Sequence, residues 1–380
     1  MVFGPYCSQW LADLGADVIK VEAPEGDSTR LTGPALERGM SALFLGCNRG
    51  KRGIVLDLKQ PEAREALDRL VSGADVLLHS IRPQKLESLG LAPEAVLARH
   101  PRLIYAGLHG FGEAGPYSGR PAYDDVIQGM SGIADLMARQ SGEPRYLPTI
   151  AADKVSGLVA ALSILAAVVR RQSTGKGGFV EVPMFETLVA FNLVEHFFGH
   201  QFNPPLADIG YPRAMAPWRK PLPTADGHIC IMPYTNAHWQ AFFTVSGATQ
   251  HLDDPRFVDI GTRTVHIDVL YAIAGGLVLE RPTAEWLALL DTAQVPCGPV
   301  FKLETLESDP HLVATGFFAS VPTEAGELRY PGVPVLFDGE RPPVSAPPRL
   351  GEHTRTVLAE AGFSEADIAA LLASRAARQG

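Results

Sequence analysis

Residues 146–194 read YLPTIAADKVSGLVAALSILAAVVRRQSTGKGGFVEVPMFETLVAFNLV, and this stretch decides the fold. Its apolar side chains recur at the spacing of one helix face, namely at Val155, Leu158, Val159, Leu162, Leu165, Ala166 and Val169. The pattern predicts a long helix whose apolar stripe packs on a core. Residues 173–178 (STGKGG) break the helix, and residues 179–182 (FVEV) predict a strand.

Asp153 stands at the start of this predicted helix, and its residue type permits two interpretations. Aspartate is a common N-cap residue, whose side-chain oxygen accepts a backbone N–H. A helix N-terminus also favours the ionised carboxylate, which can attack an activated acyl carbon. The residues alone leave both interpretations open.

Composition excludes several classes of protein. The chain has 380 residues, 46% apolar and 20% charged, which suits a globular protein of two domains. The net charge of −9 argues against nucleic-acid binding. The four cysteines are widely separated, which predicts free thiols and no metal site. We expect neither a signal peptide nor a membrane span, and therefore a cytoplasmic enzyme.

Strands and helices alternate along the first half of the chain. The patterns predict strands at 16–22, 54–59, 74–79, 103–108 and 179–182, with helices between them. After the Pro-rich segment 201–222, a strand at 224–232 and three helices predict a second, smaller α/β region. The chain is therefore predicted to be an α/β protein.

Several blocks of sequence resemble one family in the same order. They are GPYCSQWLADLGADVIKVE (4–22), NRGKRGIVLDLK (48–59), PAYDDVIQGMSG (121–132), the segment around Asp153, and LGEHT (350–354). With these blocks the chain resembles the class III CoA-transferases, the CaiB/BaiF family. That family includes formyl-CoA and carnitine-type CoA-transferases and the α-methylacyl-CoA racemases.

The resemblance implies roles for particular residues. Asp153 would be the acyl-accepting nucleophile. CoA would be bound by three groups of residues: Leu56, Asp57, Leu58 and Lys59; Ser80, Ile81 and Arg82; and Tyr123 with Asp124. CoA would be a substrate with no permanently bound cofactor, and the other substrates would be an acyl-CoA donor and a small carboxylic acid.

The positive charges of NRGKRG allow two interpretations. Arg49, Lys51 and Arg52 are either solvated loop charges or a cradle for the phosphates of CoA.

The resemblance also implies an architecture. A Rossmann-like large domain would be built from both chain ends, with residues 1–200 and the C-terminal part of 301–380. Residues 201–222 would be a linker, and residues 223–300 a small α/β domain. The family further implies a homodimer whose two chains interlock.

Other functions remain as alternatives. An acyl-CoA racemase is the first, but Tyr123 stands where racemase relatives carry His, and a phenol with a pKa near ~10 is a poor base. A non-catalytic acyl-CoA-binding protein is the second. A nicotinamide dehydrogenase is the third, suggested by G-x-G-x-x-G at residues 110–115, but Pro116 follows where a helix should open.

Overall fold

The computed structural model describes residues 2–380 and is a mixed α/β fold. The first part of the chain contains α1 (Phe3–Asp13), β1 (Val18–Glu22), α2 (Ala42–Asn48), β2 (Lys51–Leu56), α3 (Pro61–Ser72), β3 (Val76–His79), α4 (Pro83–Leu86), α5 (Pro93–Arg99), β4 (Ile104–His109), α6 (Asp124–Met130), α7 (Ile133–Ser141), α8 (Ala151–Thr174), β5 (Gly178–Pro183) and α9 (Met184–His196).

The rest of the chain adds short strands and further helices. These are α10 (Pro212–Met215), β6 (Leu222–Pro223), β7 (His228–Ile231), α11 (Asn236–Val245), α12 (Ile260–Val265), α13 (Ile267–Val278), α14 (Thr283–Thr292), β8 (Cys297–Pro299), α15 (Pro310–Ala314), β9 (Phe318–Thr323), β10 (Gly326–Pro331), α16 (Thr354–Glu360), α17 (Glu365–Ala373) and β11 (Ala377–Arg378).

The chain forms two compact units. The first comprises Met1–Ser131, Tyr146–Ala190 and Pro310–Gly380, and the second comprises Gly132–Arg145 and Phe191–Asp309. Both chain ends therefore belong to the first unit.

The first unit contains two three-stranded sheets. In one, β3, β4 and β5 are all parallel, in the order β3-β4-β5. In the other, β2 pairs with β1 in parallel and with β11 in the antiparallel direction. Thr354, in the LGEHT segment, joins β2 to the chain end, because its hydroxyl accepts the N–H of Val55 and donates to the carbonyl of Arg378.

The second unit has its own core. Its antiparallel sheet has the order β6-β7-β8. A cluster of aromatic and aliphatic side chains from α11, α13 and α14 is buried in this unit, with Trp239, Phe242, Leu270, Trp286 and Leu290 among its members. A core of this size is consistent with a unit that folds around its own hydrophobic centre.

The apolar stripe of α8 faces the opposite way from the predicted direction. Leu162 and Val169 are 67% and 64% exposed in the protomer, whereas the small residues Gly157, Ala160 and Ala161 are buried. A Cβ on Gly157 would lie 3.1 Å from the carbonyl oxygen of Phe3, so α1 approaches this face too closely for large side chains. The helix was predicted correctly, but its core-facing side was not.

By length and composition alone, α8 also qualifies as a membrane-spanning helix. It has 24 residues with a mean hydropathy of 1.8, a result that the sequence expectation did not anticipate. The central helix of a globular protein passes the same test, and α8 has its small-residue face buried against α1 and carries the buried Asp153. These contacts favour a core helix.

One predicted strand is shifted along the chain. The strand expected at 54–59 is β2, Lys51–Leu56, and the chain turns directly after Leu56. The turn forms because the carboxylate of Asp57 accepts the N–H of Lys59, and the N–H of Gln60 donates to the carbonyl of Asp57. Leu58 and Lys59 therefore lie in the turn that leads into α3.

Candidate active site

The N-terminus of α1 lies over the carboxyl ends of the parallel strands. A Cβ on Gly4 would be 3.6 Å from the side chains of Leu78 in β3 and Leu108 in β4, and 3.9 Å from the hydroxyl of Ser80. Ligands of open α/β sheets bind outside these strand ends. The first turn of α1 is therefore placed where a ligand of this sheet would be found.

Close packing brings the same turn to Asp153. The groups nearest to a Cβ on Gly157 would be the carbonyl of Phe3 at 3.1 Å, the ring of Tyr6 at 3.1 Å and the N–H of Cys7 at 3.4 Å. Asp153 lies one helical turn before Gly157, on the same face of α8. The contact between α1 and α8 thus sets the distance from Asp153 to the first N–H groups of α1.

Asp153 is buried and is held by backbone donors. Its side chain is 5% exposed, and the N–H groups of Val2 and Phe3 donate hydrogen bonds to its carboxylate. It is the third residue of α8, whereas Ile150 occupies the N-cap position without a side-chain hydrogen bond. The N-cap interpretation of Asp153 is therefore wrong. Its carboxylate binds the N-terminus of α1, not that of its own helix.

Asp124, which belongs to α6, accepts a free N–H group in the first turn of α8. One of its carboxylate oxygens accepts the backbone N–H of Asp153 at 3.0 Å, and the other accepts the side-chain N–H of Gln128 at 2.5 Å. Asp124 is the first residue of α6, and Tyr123 is at its N-cap position, so Asp124 does not cap its own helix. The two carboxylates are therefore neighbours.

Gln128 is a residue that the sequence analysis missed. It is 1% exposed, donates to the carbonyl of Thr149 at 3.0 Å and accepts the N–H of Leu147 at 2.9 Å. It thus fastens α6 to the segment that leads into α8. Its position four residues after Asp124 on a helix was the signal that could have identified it.

The surroundings of Asp153 change its acidity. Burial raises the pKa of Asp153 most, and the negative charge of Asp124 adds to this rise, while the N–H groups of Phe3 and Val2 lower the pKa; the net value is about 6. The helix-terminus argument predicted a net preference for the charged form, but desolvation outweighs it. The carboxylate is still largely ionised at neutral pH.

The remaining predicted residues lie at two strand ends and beside Asp124. Leu56 is buried at the end of β2, Leu58 packs on the core, and Asp57 and Lys59 form the turn. After β3, Ser80 and Arg82 are exposed, and Ile81 donates its N–H to the ring of His79 at 3.1 Å.

Tyr123 is also accessible, because its side chain is 59% exposed. Ser80 approaches the first turn of α1, and Asp124 directly contacts Asp153.

The charges of NRGKRG are all engaged by partners within the protein, and two of the three, Arg49 and Lys51, are buried. Arg49 forms a buried ion pair with Asp13, and Arg52 pairs with Asp17. Lys51 is 4% exposed, and its ammonium donates to the carbonyls of Pro5 and Cys47 and to the side chain of Asn48 at 2.8–3.0 Å. The interpretation as a phosphate cradle is therefore not favoured. Instead, Lys51 anchors the first turn of α1 through Pro5.

In the part of the chain described, residues 2–380, three side chains in and next to β4 and β5 are close enough to hold a metal ion. They are His109, Glu113 and Glu181. Their groups already have partners, because Glu181 accepts from the ring of His109 and from the N–H of Glu113, and the other oxygen of Glu113 accepts from Ser118. These hydrogen bonds join the three side chains to one another, while the Nε2 atom of His109 is buried without a hydrogen-bond partner among the described residues.

Comparison with known proteins identifies the family of this chain. Residues 1–354 match the family described as CoA-transferase family III. The succinate–glutarate CoA-transferase of Agrobacterium fabrum is 32% identical over 373 residues, which are 94% of this chain and 92% of that protein. The acetyl-CoA:oxalate CoA-transferase of Acetobacter aceti is 33% identical, over 96% of this chain and 93% of that protein.

Solved structures resemble the whole fold. The crystal structure of Rv3272 from Mycobacterium tuberculosis in its orthorhombic form has a TM-score of 0.79 at 30% identity, covering 94% of this chain and 95% of that one. A CaiB/BaiF family protein from Brucella suis has a TM-score of 0.76 at 32% identity, covering 95% and 96%.

The fold and the site define the class of protein. It is a mixed α/β enzyme with a buried carboxylate at the N-terminus of a neighbouring helix. The chain belongs to CoA-transferase family III and is a class III CoA-transferase. The predicted family and the predicted class of enzyme are confirmed.

Proposed function

We propose that Asp153 is the nucleophile of an acyl-CoA:carboxylate CoA-transferase. Its carboxylate oxygen attacks the thioester carbonyl of the donor, and the C–S bond breaks. The products are CoA thiolate and a mixed anhydride between Asp153 and the donor acyl group. The thiolate then attacks the aspartyl carbon, which forms an aspartyl-CoA thioester and releases the donor acid. In this series of acyl exchanges the only reacting group of the protein is the carboxylate nucleophile, and the residues around it hold it in place.

The second half of the reaction reverses the order. An acceptor carboxylate attacks the aspartyl thioester, the C–S bond breaks again, and a second anhydride forms with CoA thiolate as the leaving group. The thiolate attacks the acceptor's acyl carbon, which gives the new acyl-CoA and restores the carboxylate of Asp153. Each step exchanges acyl species of similar activation, so the sequence runs in both directions.

One observation carries this proposal. The carboxylate of Asp153 accepts the N–H groups of Val2 and Phe3 while burial raises its pKa to about 6. Two fixed N–H donors at a helix terminus stabilise negative charge on an oxygen. The raised pKa makes the group a better nucleophile than an exposed aspartate, while it stays mostly charged at neutral pH.

We propose that CoA binds along the strand ends next to this carboxylate. Its contacts are the candidates named above, with Leu56, Asp57, Leu58 and Lys59 after β2 and Ser80, Ile81 and Arg82 after β3. Tyr123 and Asp124 are proposed to lie beside the thioester, since Asp124 contacts the N–H of Asp153. CoA is then a substrate, and no permanently bound cofactor takes part.

Hydroxylamine trapping tests the nucleophile. With an acyl-CoA donor, we expect hydroxylamine to convert Asp153 into its hydroxamate, which peptide mass spectrometry locates. The Asp153→Asn variant should show no modified peptide and no transfer, whereas Asp125→Asn, which alters an exposed carboxylate of α6, should be labelled like the parent protein. Normal CoA exchange by Asp153→Asn would overturn the mechanism.

The acceptor is proposed to be a small dicarboxylic acid. The similar proteins of Agrobacterium fabrum, Mus musculus and Haloarcula hispanica are named for succinate, glutarate and mesaconate. A matrix of acyl-CoA donors against mono- and dicarboxylic acids, read by mass spectrometry of the acyl-CoA products, tests the class. Exclusive use of monocarboxylic acids would contradict it.

The racemase alternative has a separate test. It predicts that deuterium from heavy water enters the α-carbon of a chiral 2-methylacyl-CoA without any acceptor acid. The transferase mechanism involves no proton removal at that carbon, so we expect no deuterium uptake.

We propose a homodimer in the cytoplasm. Its large domain is formed by residues 1–200 and by the C-terminal part of 301–380, which follows a return linker; the first linker is 201–222 and the small domain is 223–300. The exposed apolar stripe of α8 supports a partner chain, because a monomer rarely exposes a contiguous apolar face. Light scattering after size exclusion measures the mass. Leu162→Glu should weaken the dimer, whereas a monomeric parent protein would refute it.

A further inference from the structure

Arg213 is a half-buried arginine without a carboxylate partner among residues 2–380. It belongs to α10 in the second unit, and its Nε donates to the hydroxyl of Tyr271 at 2.7 Å. The guanidinium lies 4.6 Å from the ring centre of Tyr234 and also bonds to the hydroxyl of Tyr211. A second nitrogen of the guanidinium contacts the sulfur of Met232 at 2.8 Å. These neighbours are all neutral, so they orient the group but leave its charge uncompensated.

Two other enclosed arginines of this chain have carboxylate partners. Arg30 pairs with Glu22 at 2.6 Å, and Arg49 pairs with Asp13 at 2.7 Å. A charge removed from water is expensive unless an opposite charge accompanies it. Arg213 and Arg263 both depart from this pattern in a chain of net charge −9, where carboxylates are plentiful.

A second arginine lines the same cavity. Arg263 is 3% exposed and donates to the carbonyl of Phe257 and to the side chain of Asn236. The nearby Asp259 has its carboxylate engaged by the N–H of Thr262 at the start of α12. Burial lowers the pKa of Arg263, Asp259 opposes this, and the charge of Arg213 lowers it further. The cavity is therefore electropositive.

The cavity has room for one end of a ligand. Its volume is about 20 Å³, which admits one oxygen of a carboxylate, a group of roughly the size of a water molecule. Arg213 and Arg263 line it together with the apolar side chains of Trp239, Ile260 and Ile267. Positive charge next to an apolar wall suits the carboxylate end of a short alkyl acid better than a phosphate, which is larger and more polar on every side.

We propose that this cavity binds a carboxylate of a small organic acid, with Arg213 as the anion-binding group. The assignment deepens the proposed function, on which its link to catalysis rests, because it names a recognition residue for the acid substrates. Binding itself does not depend on turnover, so it can be measured separately.

Calorimetric titration with glutarate tests the site. We expect the intact protein to bind glutarate, and Arg213→Gln to weaken binding by about 10- to 100-fold, since a charge-assisted hydrogen bond is lost. Arg213→Lys should recover part of the affinity, because it keeps the charge but not the planar fork. Arg219→Gln, at an exposed position of the same segment, is the matched control and should bind as the parent does.

Two ligand controls identify the chemistry. The uncharged diamide of glutarate should not bind, and inorganic phosphate should not compete. Equal binding of glutarate by a folded Arg213→Gln protein, or displacement by phosphate at similar concentration, would overturn the assignment. Circular dichroism confirms that each variant is folded. If Arg213→Gln does not fold, the partial loss of glutarate affinity in Arg213→Lys still tests the assignment.

Failure of the proposed function gives a different result. If Asp153→Asn still transfers CoA, the mechanism is wrong but the glutarate titrations remain valid. If Asp153→Asn loses glutarate binding while Arg213→Gln retains it, the carboxylate site is elsewhere and this inference alone is wrong.

Discussion

The backbone N–H of Asp153 donates a hydrogen bond of 3.0 Å to the carboxylate of Asp124. This contact holds a second negative charge beside the buried carboxylate of Asp153, and Coulomb repulsion between like charges favours the protonated form. Asp124 therefore has two effects in opposite directions. It fixes the start of α8, and it makes the proposed nucleophile harder to ionise.

Replacing Asp124 by Asn should separate these effects. The amide oxygen can still accept the N–H of Asp153, while the amide NH2 replaces the oxygen that accepts from Gln128. The charge is gone, so the pKa of Asp153 falls from about 6. We expect the acid limb of the kcat/KM profile to move to lower pH by up to about one pH unit. Asp125→Asn, on the same helix, is the control and should leave the limb in place. An unchanged limb in Asp124→Asn would contradict the electrostatic role.

Asp153→Asn should abolish transfer and yet stabilise the protein at neutral pH. The pKa of Asp153 is raised in the folded state, so its contribution to stability is fully present below the unfolded value near 3.8 and is lost as pH rises through about 6. An amide does not pay this ionisation cost. We expect a gain of about 3 kcal/mol in the free energy of unfolding at neutral pH.

Urea denaturation at several pH values measures this gain. The difference between Asp153→Asn and the parent should shrink steadily as pH falls from about 7 towards about 4, because the parent carboxyl becomes neutral. A gain that is independent of pH would show that packing, and not ionisation, distinguishes the two proteins.

Much of the fold could be predicted from periodicity and turn residues. The α8 helix, its end within residues 173–178 and the following strand were evident, because these signals are local, although the helix continues to Thr174 and ends at Gly175. The orientation of α8 was not evident, since both of its faces are apolar and only the size of the residues distinguishes them. Gly157 and the neighbouring alanines accept α1, whereas Leu162 is too large for that contact.

The candidate site was only partly predictable for the same reason. Asp153 and Asp124 were identified through family resemblance, but the donors that hold Asp153 are backbone N–H groups of Val2 and Phe3, which carry no side-chain signature. The engagement of Lys51 with Pro5 was also hidden, because basic residues in a loop usually lie in solvent. Contacts between distant segments decide these features.

Gly157→Ala tests the close approach of α1 and α8. The new Cβ would lie 3.1 Å from the carbonyl oxygen of Phe3, so α1 must move and carry its N–H groups away from Asp153. We expect a loss of about 1–3 kcal/mol in stability, measured by urea denaturation, together with a lower kcat. Gly46→Ala is the control, because nothing lies within 4 Å of its Cβ and α2 should gain up to about 1 kcal/mol. Equal effects of the two substitutions would contradict the packing argument.

Lys51→Met tests how the first turn of α1 is anchored. The methionine fills a similar volume but leaves the carbonyls of Pro5 and Cys47 and the side chain of Asn48 without their donor. Loss of the donor to several buried acceptors should lower the free energy of unfolding by about 1–3 kcal/mol.

Because Pro5 belongs to the turn that supplies the donors of Asp153, kcat should fall as well. The control is Arg52→Met, next in the chain, which breaks ion pairs with exposed Asp17 and Glu360 and should cost about 1 kcal/mol or less. If Lys51→Met matched Arg52→Met in both stability and kcat, the ammonium of Lys51 would have no part in holding α1 against the site.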